Sequence, residues 1–384
     1  MDAVIIAYGR APVGKAKKGA YAWSHPVEYG GQALKGVLDQ VPQVAPKDID
    51  DLLVGCAQPF GTQGSGVARM IAARAGLPYR VSAQVINRGC ASGLQAIASG
   101  ANAIMAGQQK LVVAGGVEDM SRIIMGKRNP EDSCQWIEEN APGLYMPMGM
   151  TAENVAEKYH ISRQEMDAYA VESHRRAVNA IASGEFDSQI IPIIAPDANG
   201  NPRTLTTDEG ARPDTTLESL AKLRPCFKPD GVVTAATASQ MSDGAGFLVL
   251  SSPEKARSLG VRPIARMVAF AIEGVPAELM GIGPIYAVPK VLKMSGLTLA
   301  DISIVELNEA FAAQTIPVIR ELKLDRSRVN PNGGALALGH PMGATGANLS
   351  CKVLAYLQRH GGRYGMVTMC VGGGMGAACI YEML

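Results

Sequence analysis

Residues 81–116 read VSAQVINRGCASGLQAIASGANAIMAGQQKLVVAGG. The spacing predicts a strand over 81–87, a helix over 91–107 and a second strand over 111–114 that ends in Gly-Gly. No charged residue occurs between positions 89 and 109. A helix without charge on any face is buried all round. The helix over 91–107 is therefore placed inside the molecule, with Cys90 in the turn that leads into it.

The same alternation extends outward on both sides. Upstream, the sequence predicts strands over 4–8 and 49–55 and helices over 26–41 and 67–75, the latter closed by Gly76. Strands alternating with helices imply an α/β fold with a mostly parallel sheet covered on both faces. The distal part repeats the order. Strands are predicted over 264–271, 302–306 and 366–370, and helices over 285–295, 309–322 and 347–360. A Gly-rich turn over 332–346 carries His340 where the first half carries Cys90. The last strand ends in Gly372-Gly373-Gly374. The parallel points to an ancient duplication about a pseudo-twofold axis, with one buried helix from each half between two sheets. Residues 121–224 are richer in charge than the rest of the chain, with clusters such as KRNPEDS and DEGARPDT. There Ser162-x-x-Glu165 forms a capping box for an amphipathic helix running to about Ala182. This middle stretch reads as a surface insertion able to cover a site.

Composition excludes several classes. Of 384 residues, 47% are hydrophobic and 18% charged, so the chain can bury a large core. With 36 Lys plus Arg against 35 Asp plus Glu, the net charge is +1, which argues against a strongly basic nucleic-acid binder. The uncharged runs 89–109, 330–351 and 364–381 carry Gly, Asn, Gln, Ser or His throughout and would insert poorly into a membrane. The N-terminus lacks the apolar core of a signal peptide. Seven cysteines at wide spacing, with no C-x-x-C, argue for working thiols in a reducing, cytoplasmic setting over a disulfide frame or zinc ribbon.

Four residues invite chemistry. Cys90 sits where a strand ends and a helix begins, and a helix N-terminus lowers a thiol pKa. Its surroundings fit a buried structural cysteine equally well. His340 is the one histidine in an uncharged turn; His25, His160, His174 and His360 lie among polar residues and read as surface. If the halves pack about a twofold axis, the two helix N-termini converge and supply a Cys–His pair, the requirement for an activated sulfur nucleophile. Cys370 ends a strand before a glycine run that lets backbone N–H groups approach a ligand. Asn308 follows another strand, where it could equally be a helix N-cap. All four lie at carboxyl ends of strands, where sites of open α/β folds occur.

The order of motifs is distinctive. The chain carries RAPVGK (10–15), NRGCASG (87–93), AGGVEDMS (114–121), PMGMTAENVA (147–156), SDGAG (242–246), MGIGP (280–284), NEAFA (308–312), GGALALGHPMGATG (333–346) and CVGGGMG (370–376). Over essentially its whole length it resembles the thiolase family. Within the family it looks most like the degradative 3-ketoacyl-CoA thiolases, on T-A-S-Q-M-S-D-G-A-G and the Pro147-Met148-Gly149 step. Biosynthetic acetoacetyl-CoA thiolases tend to have His at the Pro147 position and a longer tetramer-forming loop, for which 121–147 offers no clear match. Gly89 stands where the family carries a larger aliphatic residue, and Ala91 where it carries Gly or Ser.

The resemblance implies a five-layered fold of duplicated βαβαβαββ halves. The first half would be 1–120 with 225–262, the loop insertion 121–224, and the second half 263–384. It implies CoA-dependent thiolysis of a 3-ketoacyl-CoA, reversible as a Claisen condensation. Cys90 would be the nucleophile, His340 its base and Cys370 the second acid and base. Asn308 would hold an oxyanion-site water, and the backbone N–H groups of Cys90 and Gly372 would form a second oxyanion site. CoA would lie on the insertion, with Arg212 at the nucleotide phosphates and Leu220, Phe227, Ala235 and Ser239 along the pantetheine tunnel. Met148, Met280, Ala310 and Phe311 would surround the acyl end. The resemblance further implies a homodimer or dimer of dimers acting on acyl-CoA and CoA, with no metal and no membrane or nucleic-acid partner. A-G-G-V-E and G-G-G-M-G also lack the nicotinamide and flavin fingerprint spacing. The competing readings are a biosynthetic thiolase, a decarboxylating β-ketoacyl synthase, a non-catalytic thiolase-like CoA-binding protein and a metal or redox protein. Cys370 argues against the synthase, and the intact set of four residues against the binding protein.

Overall fold

A computed structural model describes residues 2–123 and 130–384. The first half comprises β1 (Val4–Arg10), the short β2 (Gly14–Lys15), α1 (Pro26–Leu38), β3 (Asp51–Gly55), α2 (Val67–Arg74), β4 (Ser82–Ile86), α3 (Ser92–Met105) and β5 (Leu111–Glu118). Then come α4 (Gln135–Asn140), α5 (Met148–Lys158), α6 (Arg163–Ala182), the hairpin β6 (Ile193–Pro196) and β7 (Pro202–Leu205), and α7 (Leu217–Ala221). The chain returns through β8 (Ser242–Ser251) and α8 (Pro253–Ser258). The second half holds β9 (Ala265–Gly274), α9 (Gly283–Ser295), β10 (Ile302–Leu307), α10 (Ala312–Glu321), α11 (Ala335–Leu338), α12 (Met342–His360), β11 (Tyr364–Val371) and β12 (Met375–Met383). The Lys-Arg-Asn start of the charged KRNPEDS stretch, and part of the 121–147 segment used to judge loop length, lie outside the described residues.

The strands follow one path, β10-β11-β12-β9-β1-β8-β5-β3-β4. Pairings β3–β4, β3–β5 and β10–β11 are parallel and the rest of the path is antiparallel. The two expected sheets are thus two half-sheets of one path. They meet where β1 pairs with β9 through Val4↔Arg266 and Ile5↔Ala265. Helices α1 and α2 cover the outer face of the first half-sheet, α9 covers that of the second, and α3 and α12 lie between them. The central core joins Leu94, Ile97 and Ile104 of α3 to Val353, Leu354 and Leu357 of α12 and to strand residues of both halves. The uncharged helix is therefore interior, as its composition requires.

Several boundaries differ from the sequence reading. The strand predicted over 111–114 runs on to Glu118, because Gly115 and Gly116 lie flat against neighbouring backbone: a Cβ on Gly116 would stand 2.1 Å from the Gly343 carbonyl oxygen. The stretches 242–251 and 375–383 are strands that the reading did not identify, since Ser242-Asp243-Gly244 in one and the glycine run leading into the other resemble turns. The helix predicted from 309 begins at Ala312, because Ala310 and Phe311 are extended alongside 237–239. The helix predicted from 347 begins at Met342, and α11 interrupts the Gly-rich turn. Gly346 is helical and serves close packing: a Cβ there would be 2.3 Å from Leu94 N. The capping box at Ser162 and Glu165 is present, and its helix ends at Ala182 as expected. Among the described residues no helix is long and apolar enough to cross a membrane.

Candidate active site

The turn between β4 and α3 is shaped by its own side chains. Asn87 Oδ1 accepts the Gly89 N–H at 2.9 Å, and Ser92 Oγ accepts the Arg88 N–H at 2.9 Å while donating to Gly89 O at 2.6 Å. Gly89 has φ +48°, a conformation that costs glycine nothing and an L side chain strain. This turn presents Cys90, half-buried, at the head of α3.

The backbone N–H groups of Gly372 and of Cys90 itself lie near the Cys90 sulfur and favour its thiolate. These are the two donors expected at the second oxyanion site. Burial pushes the thiol up to about 11, the Gly372 N–H pulls it back, and the Glu118 charge raises it further. The helix N-terminus was expected to lower this thiol's pKa; desolvation outweighs it. Cys370 lies buried near the end of β11 and pairs with Gly376 of β12. Burial, then the neighbouring charge of Cys90, raises its thiol well above the usual range. Both thiols are therefore protonated at neutral pH, and each needs a partner to move its proton.

His340 carries a neutral imidazole. Its backbone N–H reaches Gln240 O at 3.1 Å and Ser242 Oγ at 3.2 Å, which fixes the loop before α12. Its Nδ1 lies 2.6 Å from Thr345 Oγ1, and its Nε2 lies 3.4 Å from Asn308 Nδ2. An amide nitrogen only donates. With the amide in this orientation, Nε2 is unprotonated and Nδ1 carries the proton toward Thr345. Burial lowers the imidazole to about 4, so it is neutral and free to accept a proton.

Asn308 follows β10 and is buried, with its N–H on Thr368 O at 2.9 Å and its Oδ1 without a partner. It is not an N-cap, since α10 starts at Ala312. The next residue, Glu309, accepts from Tyr169 Oη (3.0 Å), Ser173 Oγ (2.6 Å) and Asn330 Nδ2 (2.8 Å), tying α6 of the insertion to this loop.

Three links bring the cysteine group and the histidine group to one end of the sheet. Asn308 hangs from Thr368, two residues before Cys370. Gly93 at the head of α3 abuts Gly343 at the head of α12: a Cβ on Gly93 would be 2.6 Å from Gly343 O. The buried Glu118 carboxylate accepts from Gly343 N–H (2.6 Å), Ala57 N–H (2.9 Å) and Gln63 Nε2 (2.9 Å). The two helix N-termini therefore converge.

The expected pocket residues gather beside Cys370. One apolar cluster contains Leu220, Met280, Ala310, Phe311 and Cys370, with Met148 packed against it. A Cβ on Gly372 would meet Met148 Sδ at 3.3 Å. Phe227, 39% exposed, stands edge-on to Phe311 with centroids 6.0 Å apart. The Ser239 N–H bonds Ala310 O at 2.9 Å, so the expected tunnel wall runs directly beside the Asn308 loop. Ala235 and Arg212 are exposed. The reading of His174 as a surface residue is corrected: it is buried in α6, accepts the Arg212 N–H at Nδ1 (3.1 Å), and burial lowers it to about 4. His25, His160 and His360 are exposed as expected.

Sequence reasoning missed Thr345, Ser242, Gln240 and Glu118. Thr345 carried a signal, since a hydroxyl five residues after His340 falls in the first turn of a helix that starts at Met342. Glu118 carried none, because its partners come from three separate segments.

Comparison with known proteins places these residues in context. Residues 3–254 match the family model for the thiolase N-terminal domain, and residues 261–383 that for the thiolase C-terminal domain. The chain is 47% identical over 390 residues to the 3-ketoacyl-CoA thiolase of Bacillus subtilis (strain 168), covering 100% of this chain and 99% of that one. It is 42% identical over 386 residues to the peroxisomal 3-ketoacyl-CoA thiolase A of Mus musculus, covering 99% and 91%. Among solved structures, the Bacillus anthracis acetyl-CoA acetyltransferase superposes with TM-score 0.92 at 40% identity, and human mitochondrial 3-ketoacyl-CoA thiolase with 0.91 at 36%. Both superpositions cover 100% of this chain and 99% of the other.

Proposed function

The chain belongs to the thiolase family, and from that premise we propose that it cleaves 3-ketoacyl-CoA with CoA, giving acetyl-CoA and a shortened acyl-CoA through an acyl-Cys90 intermediate. The observation that carries this reading is the Cys90 sulfur under the Gly372 N–H and beside Cys370, at the same end of the sheet as a neutral His340 backed by Asn308.

The steps follow from the protonation states. His340 Nε2 takes the Cys90 proton as sulfur attacks the ketone carbon of the substrate. The protonated Nε2, with a water held by Asn308, stabilises the oxyanion. The carbon–carbon bond breaks, and Cys370 gives its proton to the departing acetyl-CoA carbanion. The Cys370 thiolate then takes the proton of the CoA thiol, which attacks acyl-Cys90. The N–H groups of Cys90 and Gly372 stabilise that second oxyanion, and each such donor is worth about 3 kcal/mol. Cys90 leaves as thiolate and recovers its proton from His340. In reverse, Cys370 is the base on acetyl-CoA for a Claisen condensation.

In this reading CoA lies along Leu220, Phe227, Ala235 and Ser239, with Arg212 toward its phosphates. Met148, Met280, Ala310 and Phe311 face the acyl end, where methionine adapts to chains of varied shape. The insertion 121–224 forms the cover between a first half of 1–120 with 225–262 and a second half of 263–384. The return of β8 to pair with β1 and β5 supports that division. The active form is a homodimer. The edge strand β4 supports this, since Ser82 and Gln84 are exposed there and Tyr79, just before it, is 95% exposed. Seven free cysteines fit a cytoplasmic setting.

The test is loss of ketoacyl absorbance when the protein and CoA are mixed with acetoacetyl-CoA or with a long-chain 3-ketoacyl-CoA, Cys90→Ala running alongside. Cleavage of the long substrate, lost in the variant, is the expected result. Cleavage of acetoacetyl-CoA alone would shift the assignment to the acetyltransferase activity named for the Bacillus anthracis neighbour. Cleavage of neither by folded protein would overturn the catalytic reading.

A further inference from the structure

Beside Thr345 and the residues flanking His340, Gly339 and Pro341, lies a small, partly open cavity of about 30 Å³. Its polar lining is Arg10, Asp208, Asn308, Thr345, Asn348 and Lys352, and each of these residues is less than a tenth exposed. Arg10 and Asp208 satisfy each other through two bonds of 2.7 and 2.8 Å. Lys352 Nζ is bound to Glu306 Oε2 (2.6 Å) and Gly333 O (2.7 Å), which leaves one of its three donors for the cavity. The charges around the space are thus balanced in pairs.

The amides are not satisfied. Asn308 Oδ1, Asn348 Oδ1 and Asn348 Nδ2 are buried without a partner. Leaving such atoms dry costs about 1–3 kcal/mol each. A water molecule needs about 10–15 Å³ of space by this measure and two to four polar partners. The cavity offers both for one or two waters. Thr345 connects it to the chemistry. Its Oγ1 accepts from His340 Nδ1, so its own proton is available to donate, and among the described residues no protein group accepts it.

We propose that this cavity is an internal water site and that Asn348 is a positioning residue. Through that water Asn348 holds the Thr345 hydroxyl so that it accepts from His340 Nδ1 and leaves Nε2 as the proton acceptor. The inference rests on the reading of His340 as the base of Cys90. Without the water, the Thr345 hydroxyl loses its outer acceptor and turns its proton onto Nδ1. The imidazole proton then moves to Nε2 as the Asn308 amide turns its oxygen toward it, and Nε2 can no longer take a proton from sulfur.

Two experiments test this. A high-resolution crystal structure should show water density within hydrogen-bond distance of the Asn348 amide; a dry cavity, or an ion in it, would overturn the assignment. Alkylation of Cys90 by iodoacetamide, read on the Cys90 peptide by mass spectrometry, tests the role. Asn348→Leu, which displaces the water, should slow alkylation roughly tenfold near neutral pH and match wild type above pH ~10, where thiolate forms without a base. Asn348→Ser, which keeps a polar lining and room for water, should stay close to wild type. An Asn348→Leu protein that reacts like wild type near neutral pH, or is slowed equally at both pH values, would overturn the role. If that variant does not fold, the wild-type density and Asn348→Ser carry the test: absent water, or a serine variant slowed near neutral pH, counts against it. His340→Gln separates the two claims. If it leaves neutral-pH alkylation unchanged, the base assignment itself fails; if it slows alkylation and Asn348→Leu does not, only the present inference fails.

Discussion

Cys90 shows two effects of opposite sign on one thiol. A helix N-terminus and two backbone N–H groups favour thiolate, and burial favours thiol. Burial wins, at about 11. In the free enzyme, alkylation of Cys90 should therefore keep rising with pH beyond 9 toward that value. A plateau near neutrality would instead mean a preformed thiolate–imidazolium pair. Cys370 is fully buried, and burial raises its thiol further than that of Cys90. Cys370→Ala should lower kcat by roughly 10²–10⁴-fold with little change in KM, while Cys90 still alkylates at the wild-type rate. Steady-state kinetics with the long-chain substrate reads the first effect, and peptide mapping the second. Gly89 stood out in the sequence as a departure from the family beside Cys90. Its φ of +48° gives a physical reason: glycine adopts that turn without strain, and the Asn87 and Ser92 side chains hold it in place.

At the scale of elements, the site depends on how closely α3 and α12 approach. Glycine within a helix costs about 0.5–1 kcal/mol relative to alanine. At Gly346 that cost is outweighed, since a Cβ would sit 2.3 Å from Leu94 N. Gly346→Ala should destabilise the protein by about 1–3 kcal/mol in urea unfolding, because overpacking exceeds the propensity gain. A stabilised variant would mean that the helices can part freely. The extra turn at the start of α12 has the same origin. Its Gly-rich sequence looks like a loop in isolation, but contact with α3 and the Glu118 carboxylate on Gly343 N–H holds it helical. The extended path of Ala310 and Phe311 is likewise imposed from outside, by hydrogen bonds to the 237–239 segment.

At the scale of the whole molecule, β4 is an exposed edge of the long sheet. Assembly through β4 should give a species of twice the chain mass in sedimentation velocity, and Tyr79→Glu should shift it toward the monomer. An unchanged dimer would place the interface elsewhere. The sequence by itself determined the alternation of elements and the interior position of α3, and it singled out Cys90, His340, Cys370 and Asn308 as candidates. Those features are written in local period, in charge absence and in short motifs. Tertiary structure alone decided that the two half-sheets join through β1 and β9, that 242–251 and 375–383 are strands, that His174 is buried, and that Thr345 meets the His340 ring and Glu118 the head of α12. The reason is physical: a strand rich in small residues, a buried carboxylate and a desolvated thiol owe their state to atoms far away in the chain, and those atoms meet only when the core closes.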